Sequence, residues 1–189
     1  MAQLNPTVWR TCRVLSHPGR LRLLQEVLRQ PERSVSQLAE DLSIGVSDAS
    51  QQLRRLQSRG LLKRTCRGLE VIYRPIPDPQ VPSAKPLLLA LQKTLAQRRT
   101  NLANLALVAK GLACERRIAI VRLLRNDSFT QAQIDLSVGA RRNTVKDHLE
   151  ILLAGGWVTK SGQIYSLGKM KIPCNARFSV CSDASANSR

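Results

Sequence analysis

At 189 residues the chain is long enough for two small domains, and 30 Lys plus Arg against 13 Asp plus Glu give it a formal charge of +17. That balance points to a polyanionic partner, because clustered cations release counterions from a phosphate backbone, although a merely basic soluble protein would share it. No apolar run approaches membrane-spanning length, Leu87 to Leu91 being among the longest, and the opening MAQLNPTVWRTCR lacks the apolar stretch of a signal peptide, so the expected compartment is the cytoplasm, with no membrane partner.

A first helix is predicted from Asn5 to Leu15, with Asn5 as N-cap and Pro6 at the first helical position. Ser16-His17-Pro18 breaks it, His17 reading as a turn residue. A second helix runs from Gly19 to about Gln30, with Leu21, Leu24, Val27 and Leu28 as its apolar stripe. Ser34 and Gln37 have the spacing of a capping box and open a third helix, in which Val35, Leu38 and Leu42 face inward. Ser43-Ile44 then turns the chain into a fourth, GVSDASQQLRRLQSR, from Gly45 to Arg59. Ala49, Leu53 and Leu56 give this helix one apolar face. Ser47, Ser50, Gln51 and Arg54 point away from it, and all can hydrogen-bond base edges or phosphates, a plainly solvated face being the competing reading. A helix, a short turn and a polar-faced helix make a helix-turn-helix arrangement.

Gly60 stands where a left-handed cap is expected, and the pattern then changes period. Leu62 to Cys66 and Leu69 to Arg74, around Arg67-Gly68, are predicted to form a β-hairpin, the wing of a winged helix, with Lys63, Arg64 and Arg67 available to phosphates. Pro75, Pro77, Pro79 and Pro82 mark a stiff exit. From about Lys85 to Lys110 one long helix is expected. Leu88, Leu91, Leu95, Leu102, Leu105, Ala109 and Leu112 fall at alternating three- and four-residue steps, with Arg98 where an apolar residue is missing. Such a stripe suits packing on the first helix or on another chain, and an ordinary core helix explains it equally well.

From Leu112 the pattern starts again. Glu115 to Arg125 is a helix with Ile120, Leu123 and Leu124 inward. Thr130 and Gln133 make a second capping box, with Phe129 and Ile134 placed as a hydrophobic staple. GARRNTVKDHLEILL, Gly139 to Leu153, repeats the polar-faced helix, and Gly156 matches Gly60, 96 positions earlier. Trp157 to Lys160 and Gln163 to Leu167 form a shorter hairpin around Ser161-Gly162. Beyond it, Lys169 to Arg189 is polar, without clear period, and is expected to be a poorly ordered tail. Five cysteines, Cys12, Cys66, Cys114, Cys174 and Cys181, are scattered, and His17 and His148 are far from them. No metal-ligand spacing results, and incidental thiols are the default, Cys174 and Cys181 being the pair to watch.

The first half, LSHPGRLRLLQEVLRQPERSVSQLAEDLSIGVSDASQQLRRLQSRGLLKRTCRGLEVIYRPI, resembles the winged-helix domain of the ArsR transcriptional repressors, from the L-x-x-P-x-R-L-x-L-L opening to the wing. The second half resembles it more loosely, although NTVKDHLEIL matches the recognition-helix pattern more closely than SDASQQLRRL does. The resemblance implies a DNA-binding regulator, expected to act as a repressor, whose fourth helix enters the major groove while the wing reaches the backbone. On that reading Val46, Ser47, Ser50 and Gln51 face the bases, with Arg54 able to reach phosphate. The matching positions in the second half are Arg142, Asn143, Lys146 and Asp147, with Arg141 at the helix start. Arg and Asn read guanine and adenine edges well, which makes the second surface the more informative one, while Asp147 disfavours a nearby phosphate. The family's metal sites do not carry over. Ser34 and Ser36 flank Val35 where arsenic-sensing members carry cysteines, and serine cannot replace thiolate for a soft metal. The Lys85 to Lys110 segment holds no His, Asp or Glu.

The expected architecture is therefore mainly α with small β-hairpin wings: tandem winged helix-turn-helix domains joined by a long helix. Residues 1–80 form the first domain, 81–111 the linker or dimerisation helix, 112–168 the second domain and 169–189 the tail. A single chain imitating a dimer and a homodimer through the 85–110 helix both remain open. Double-stranded DNA is the expected partner, with no cofactor, no metal and no identifiable small-molecule ligand. No glycine-rich phosphate loop or nucleophile elbow marks an enzyme. The alternatives are a winged-helix adaptor for other proteins and a non-specific architectural DNA-binding protein. RNA is disfavoured, because aromatic residues are only 3% of the chain and stacking platforms need them.

Overall fold

The computed structural model describes residues 8–97, 100–139 and 141–168. The expected helix start at Asn5 and the expected tail with Cys174 and Cys181 lie outside these residues. Helix α1 (Val8–Leu15) buries Thr11, Cys12 and Leu15. Helix α2 (Pro18–Arg29) begins on His17, which does more than turn the chain: its Nδ1 accepts the backbone N–H of Arg20 and caps the helix. Helix α3 (Val35–Asp41) starts at the expected capping box, with Ser34 Oγ accepting from the Gln37 N–H and Gln37 Oε1 accepting from the Ser34 N–H at 2.9 Å.

Ser43 takes φ 53°, a left-handed conformation that costs a residue with a Cβ about 1–2 kcal/mol, and this sharp turn launches helix α4 (Val46–Gln57). Ala49, Leu53 and Leu56 on α4 are completely buried. Gly60, at φ 72°, ends the turn after it, and a side chain there would press on Val81 and Asp78. The hairpin of β1 (Lys63–Arg67) and β2 (Glu70–Arg74) follows, antiparallel, turning through Gly68-Leu69, one residue later than expected. Ile72 of β2 bridges to Ser34, which anchors the hairpin beside α3.

The single helix expected over Lys85 to Lys110 is instead two, α5 (Ala84–Leu95) and α6 (Leu102–Gly111). The side chain of Asn101 accepts the N–H of Asn104 and caps α6, and the Thr100 hydroxyl donates to the carbonyl of Thr94 at 2.5 Å. Local side-chain bonds of this kind compete with helix continuation, and here they win. The leucine stripe is spent inside the chain. Leu87, Leu88, Leu91 and Leu95 complete the core built by α2, α3 and α4, and Leu102, Leu105 and Ala109 pack against it. Leu89 and Leu107 on the same two helices stay exposed, at 50% and 40%.

Helix α7 (Glu115–Leu123), the short strand β3 (Phe129–Thr130), α8 (Gln131–Val138), α9 (Arg142–Ala154) and the hairpin β4 (Val158–Ser161) and β5 (Ile164–Leu167) complete the chain. The strands align in the order β3-β5-β4. Thr130 and Gln133 form the expected capping box, and Phe129 packs on the core that contains Ile134. Val145, Leu149 and Leu152 are buried on α9 where Ala49, Leu53 and Leu56 are on α4. Gly156 takes φ 73°, like Gly60. Gly139, at φ 62°, is the counterpart of Ser43 in the turn before the helix, and Arg141 rather than Gly139 stands in the place of Gly45. Of the residues expected inward on α7, Ile120 and the following Leu124 are buried, while Leu123 is only half-buried.

A third small core joins the two ends of the fold. Cys12, Leu112 and Ile118 are buried together, with Val8, Trp9 and Trp157 packed on them. Trp157 Nε1 donates to the carbonyl of Val108 at 2.8 Å and Trp9 Nε1 donates to Glu115 Oε1 at 2.6 Å. Helix α6 thus touches α1, α2 and α9. Burial raises the Cys12 thiol to about 12, which makes it an apolar filler rather than a nucleophile.

Candidate nucleic-acid interface

The α3–turn–α4 unit holds its second helix by the three buried residues on one side, which leaves the other side to solvent. Val46 is 51% exposed, Ser47, Gln51 and Arg54 are exposed, and Ser50 is half-buried. All of these lie on one continuous helix face, at steps of three and four residues. The exposed acid nearest to them, Asp48, accepts a hydrogen bond from Gln52 Nε2 at 2.9 Å. Gln52 Oε1 in turn accepts from the buried Arg20 Nε at 2.8 Å, so this side chain ties α4 to α2 and is not free to read a ligand.

The hairpin distributes its cations over two faces. Successive residues of a strand point to opposite sides, so Lys63 and Arg67 share one face while Arg64 stands on the other, across from Tyr73. All three are exposed. Arg67 is already paired across the turn, its Nη2 lying 2.9 Å from Glu70 Oε2. Arg74 Nη2 reaches Glu32 Oε2 at 2.8 Å, a bond that holds the Glu32 carboxyl below its ordinary range and fastens the base of the hairpin. Lys63 and Arg64 are in no ion pair among the described residues.

On α9, Arg141, Asn143 and Lys146 are exposed, and Arg142 opens the helix with a side chain that lies outside the described residues. Lys146 Nζ stands 4.0 Å from Glu150 Oε1, and Asp147 is exposed beside it. The face that reads as the more informative one in sequence therefore carries two carboxylates. Its hairpin is shorter, with Lys160 Nζ set 5.4 Å from the Tyr165 ring centroid.

Behind the two helices the halves differ again. Arg117, buried like Arg20, donates from Nε to the carbonyl of Gly111 and from Nη2 to that of Lys110, both at 2.9 Å. The residue in the place of Gln52 is His148, and neither of its buried ring nitrogens has a hydrogen-bond partner among the described residues. Burial, then the charges of Arg117 and Arg116, hold its pKa below the ordinary 6.5, with Asp147 opposing them.

Residues 15–65 match the family model of a helix-turn-helix domain. A helix-turn-helix domain is present. No curated protein matches the chain. The domain spans α2, α3, α4 and the start of β1, so it contains the exposed face of α4, and it points to a DNA-binding regulator. No helix among the described residues is long and apolar enough to cross a membrane, and no group of three or more His, Cys, Asp or Glu there is placed to hold a metal ion.

Five arginines beside this face are not singled out by the sequence pattern. Arg10, Arg13, Arg20, Arg55 and Arg59 line one open cleft between α1, α2 and the C-terminal half of α4. The four-residue step from Arg55 to Arg59 is visible in sequence. Their meeting with α1 is a tertiary event that no local pattern encodes.

Proposed function

We propose that the protein is a DNA-binding transcriptional regulator, acting as a repressor in the cytoplasm, and that it is built as two ArsR-like winged helix-turn-helix units in one chain without enzymatic activity. The helix-turn-helix domain at residues 15–65, with the polar face of α4 turned to solvent, carries this reading. In the first unit Val46, Ser47, Ser50 and Gln51 face base edges in the major groove and Arg54 contacts phosphate, while Lys63, Arg64 and Arg67 bring the wing to the backbone. The second unit contributes Arg141, Arg142, Asn143 and Lys146. Its carboxylates Asp147 and Glu150 weaken its hold on phosphate, so the two units contact DNA unequally. The matching order of elements, capping boxes and left-handed glycines supports the tandem reading, and the use of the leucine stripe within the chain supports a monomer that presents both units.

Selection from random duplexes at two salt concentrations tests this. An enriched motif that keeps its preference at the higher salt is the expected result. Binding without a motif that collapses with salt would replace it by a non-specific architectural role. A second reading, in which the second unit docks a protein, is favoured by one observation: Leu136 on α8 is 85% exposed at the position that Glu40 occupies on α3.

A further inference from the structure

The arginine cleft lies at the C-terminal end of α4, beyond the residues assigned to base reading, and Arg55 continues their face four residues after Gln51. Arg55 lies eight residues beyond Ser47, about 12 Å further along the axis of α4, and Arg59 a turn beyond that. Arg10 and Arg13 come from α1, and Arg20 from the first turn of α2. The cleft has a volume of about 450 Å3, and among the described residues no carboxylate lines it. Among the described residues none of the five arginines is in an ion pair.

Gathering five like charges without a counter-ion is costly, and the cost is visible at Arg20. Its guanidinium, bonded to the carbonyl of Val14, is held below its usual range by burial and then by the charge of Arg55, with only Asp48 opposing. Arg59 adds a second observation: its Nε is buried and has no hydrogen-bond partner among the described residues. Such a donor is expensive to leave unmade unless a ligand meets it. Arg10 lies 5.1 Å from the centroid of the Trp9 ring, which sets one guanidinium over an aromatic plane that also lines the cleft.

We propose that this cleft is an anion site that takes phosphoryl oxygens, beyond the base-reading residues of α4. Planar guanidinium forks pair bidentately with phosphate oxygens, and the four arginines other than Arg20, which already donates to Gln52 and Val14, exceed what a lone carboxylate would neutralise. The phosphoryl group comes either from a free phosphorylated small molecule or from the backbone of duplex that flanks the bound site.

The experiment uses the full chain, inorganic pyrophosphate and a duplex, with two paired variants, Arg55→Gln with Arg59→Gln and Arg10→Gln with Arg13→Gln. The second pair sits on exposed positions of α1, so its loss of binding is not a loss of fold, and circular dichroism checks both. Saturable pyrophosphate binding that falls at least tenfold in each variant supports a free ligand. Failure of pyrophosphate to saturate, together with a tenfold loss of duplex affinity and a salt dependence shallower by about two phosphate contacts in each pair, supports the backbone source. Pyrophosphate and duplex binding both within twofold of the unsubstituted chain in both pairs would overturn the proposal, as would the absence of any binding. If the chain binds pyrophosphate in the cleft and no duplex, the DNA reading fails while the anion site stands.

Discussion

Helices α4 and α9 hang from the same frame of three buried residues, a left-handed turn before them and a left-handed glycine after them, yet they present different chemistry to solvent. The α4 face is hydroxyl, amide and guanidinium, and a bonded chain from Arg20 through Gln52 to Asp48 fixes its flank. On α9 a lysine lies against a glutamate with an exposed aspartate beside it, and the matching flank residue, His148, has no hydrogen-bond partner among the described residues. The comparison teaches that the apolar half of such a helix sets where it lies, whereas its polar half can change without disturbing that position.

The largest effect should come from the joint between the halves. A methyl at Gly111 would enter the Trp157 ring, whose Nε1 is held by Val108, so Gly111→Ala should cost about 3 kcal/mol, read as a lowered Tm. An unchanged Tm would mean that the two ends do not share a core. The two end-glycines should differ. Gly60→Ala meets Val81 and Asp78 as well as a positive φ and should cost about 2 kcal/mol, while Gly156→Ala, with open space around it, should cost about 1 kcal/mol in denaturant unfolding.

At the level of DNA, Arg54→Ala should weaken duplex binding about tenfold and Lys146→Ala about threefold at most, since the second cation is already shared with Glu150. Equal losses would erase the inequality proposed between the units. Ser43→Gly should make the first turn match the second and raise stability by about 0.5–1 kcal/mol, because it relieves a left-handed serine.

The smallest expected effect is a dependence on pH. His148 has a folded-state pKa below 6.5, so the unfolded chain takes up its proton first as pH falls. Its contribution to stability is complete above that value and is lost as pH drops through and below 6.5. His148→Gln, which installs the residue found at the equivalent place in α4, should flatten this part of the stability profile. A slope that persists in the variant would assign it to other groups.

Much of the frame was legible in local chemistry. Ser34 with Gln37 and Thr130 with Gln133 announce helix starts because a short acceptor and a reaching amide satisfy the same orphan N–H groups in any context. Gly60 and Gly156 announce ends because a left-handed residue is needed there. The break between α5 and α6 was missed because the leucine spacing continues across it, although Thr100-Asn101 is itself a capping pattern. The site was less legible. Exposure of Ser47, Gln51 and Arg54 follows from helical period alone, but the pairing of Arg67 with Glu70 and of Lys146 with Glu150 depends on turn and rotamer. The division of Lys63 and Arg64 between faces follows from strand alternation and was readable in principle.

Helix α1 finds its partner in α6, which is made some ninety residues later, and Trp9 finds Glu115. During synthesis, therefore, α2, α3, α4 and the first hairpin can assemble as soon as they emerge, with the C-terminal end of α1 held on α2 through Leu15, while the rest of the N-terminal helix cannot complete its packing until residue 111 has left the ribosome. Contacts of such long sequence separation close late and slow the final step. A nascent chain arrested before α6 would expose the apolar side of α1, including Cys12, to chaperones or to other chains, and completion of α6 is the event that withdraws it.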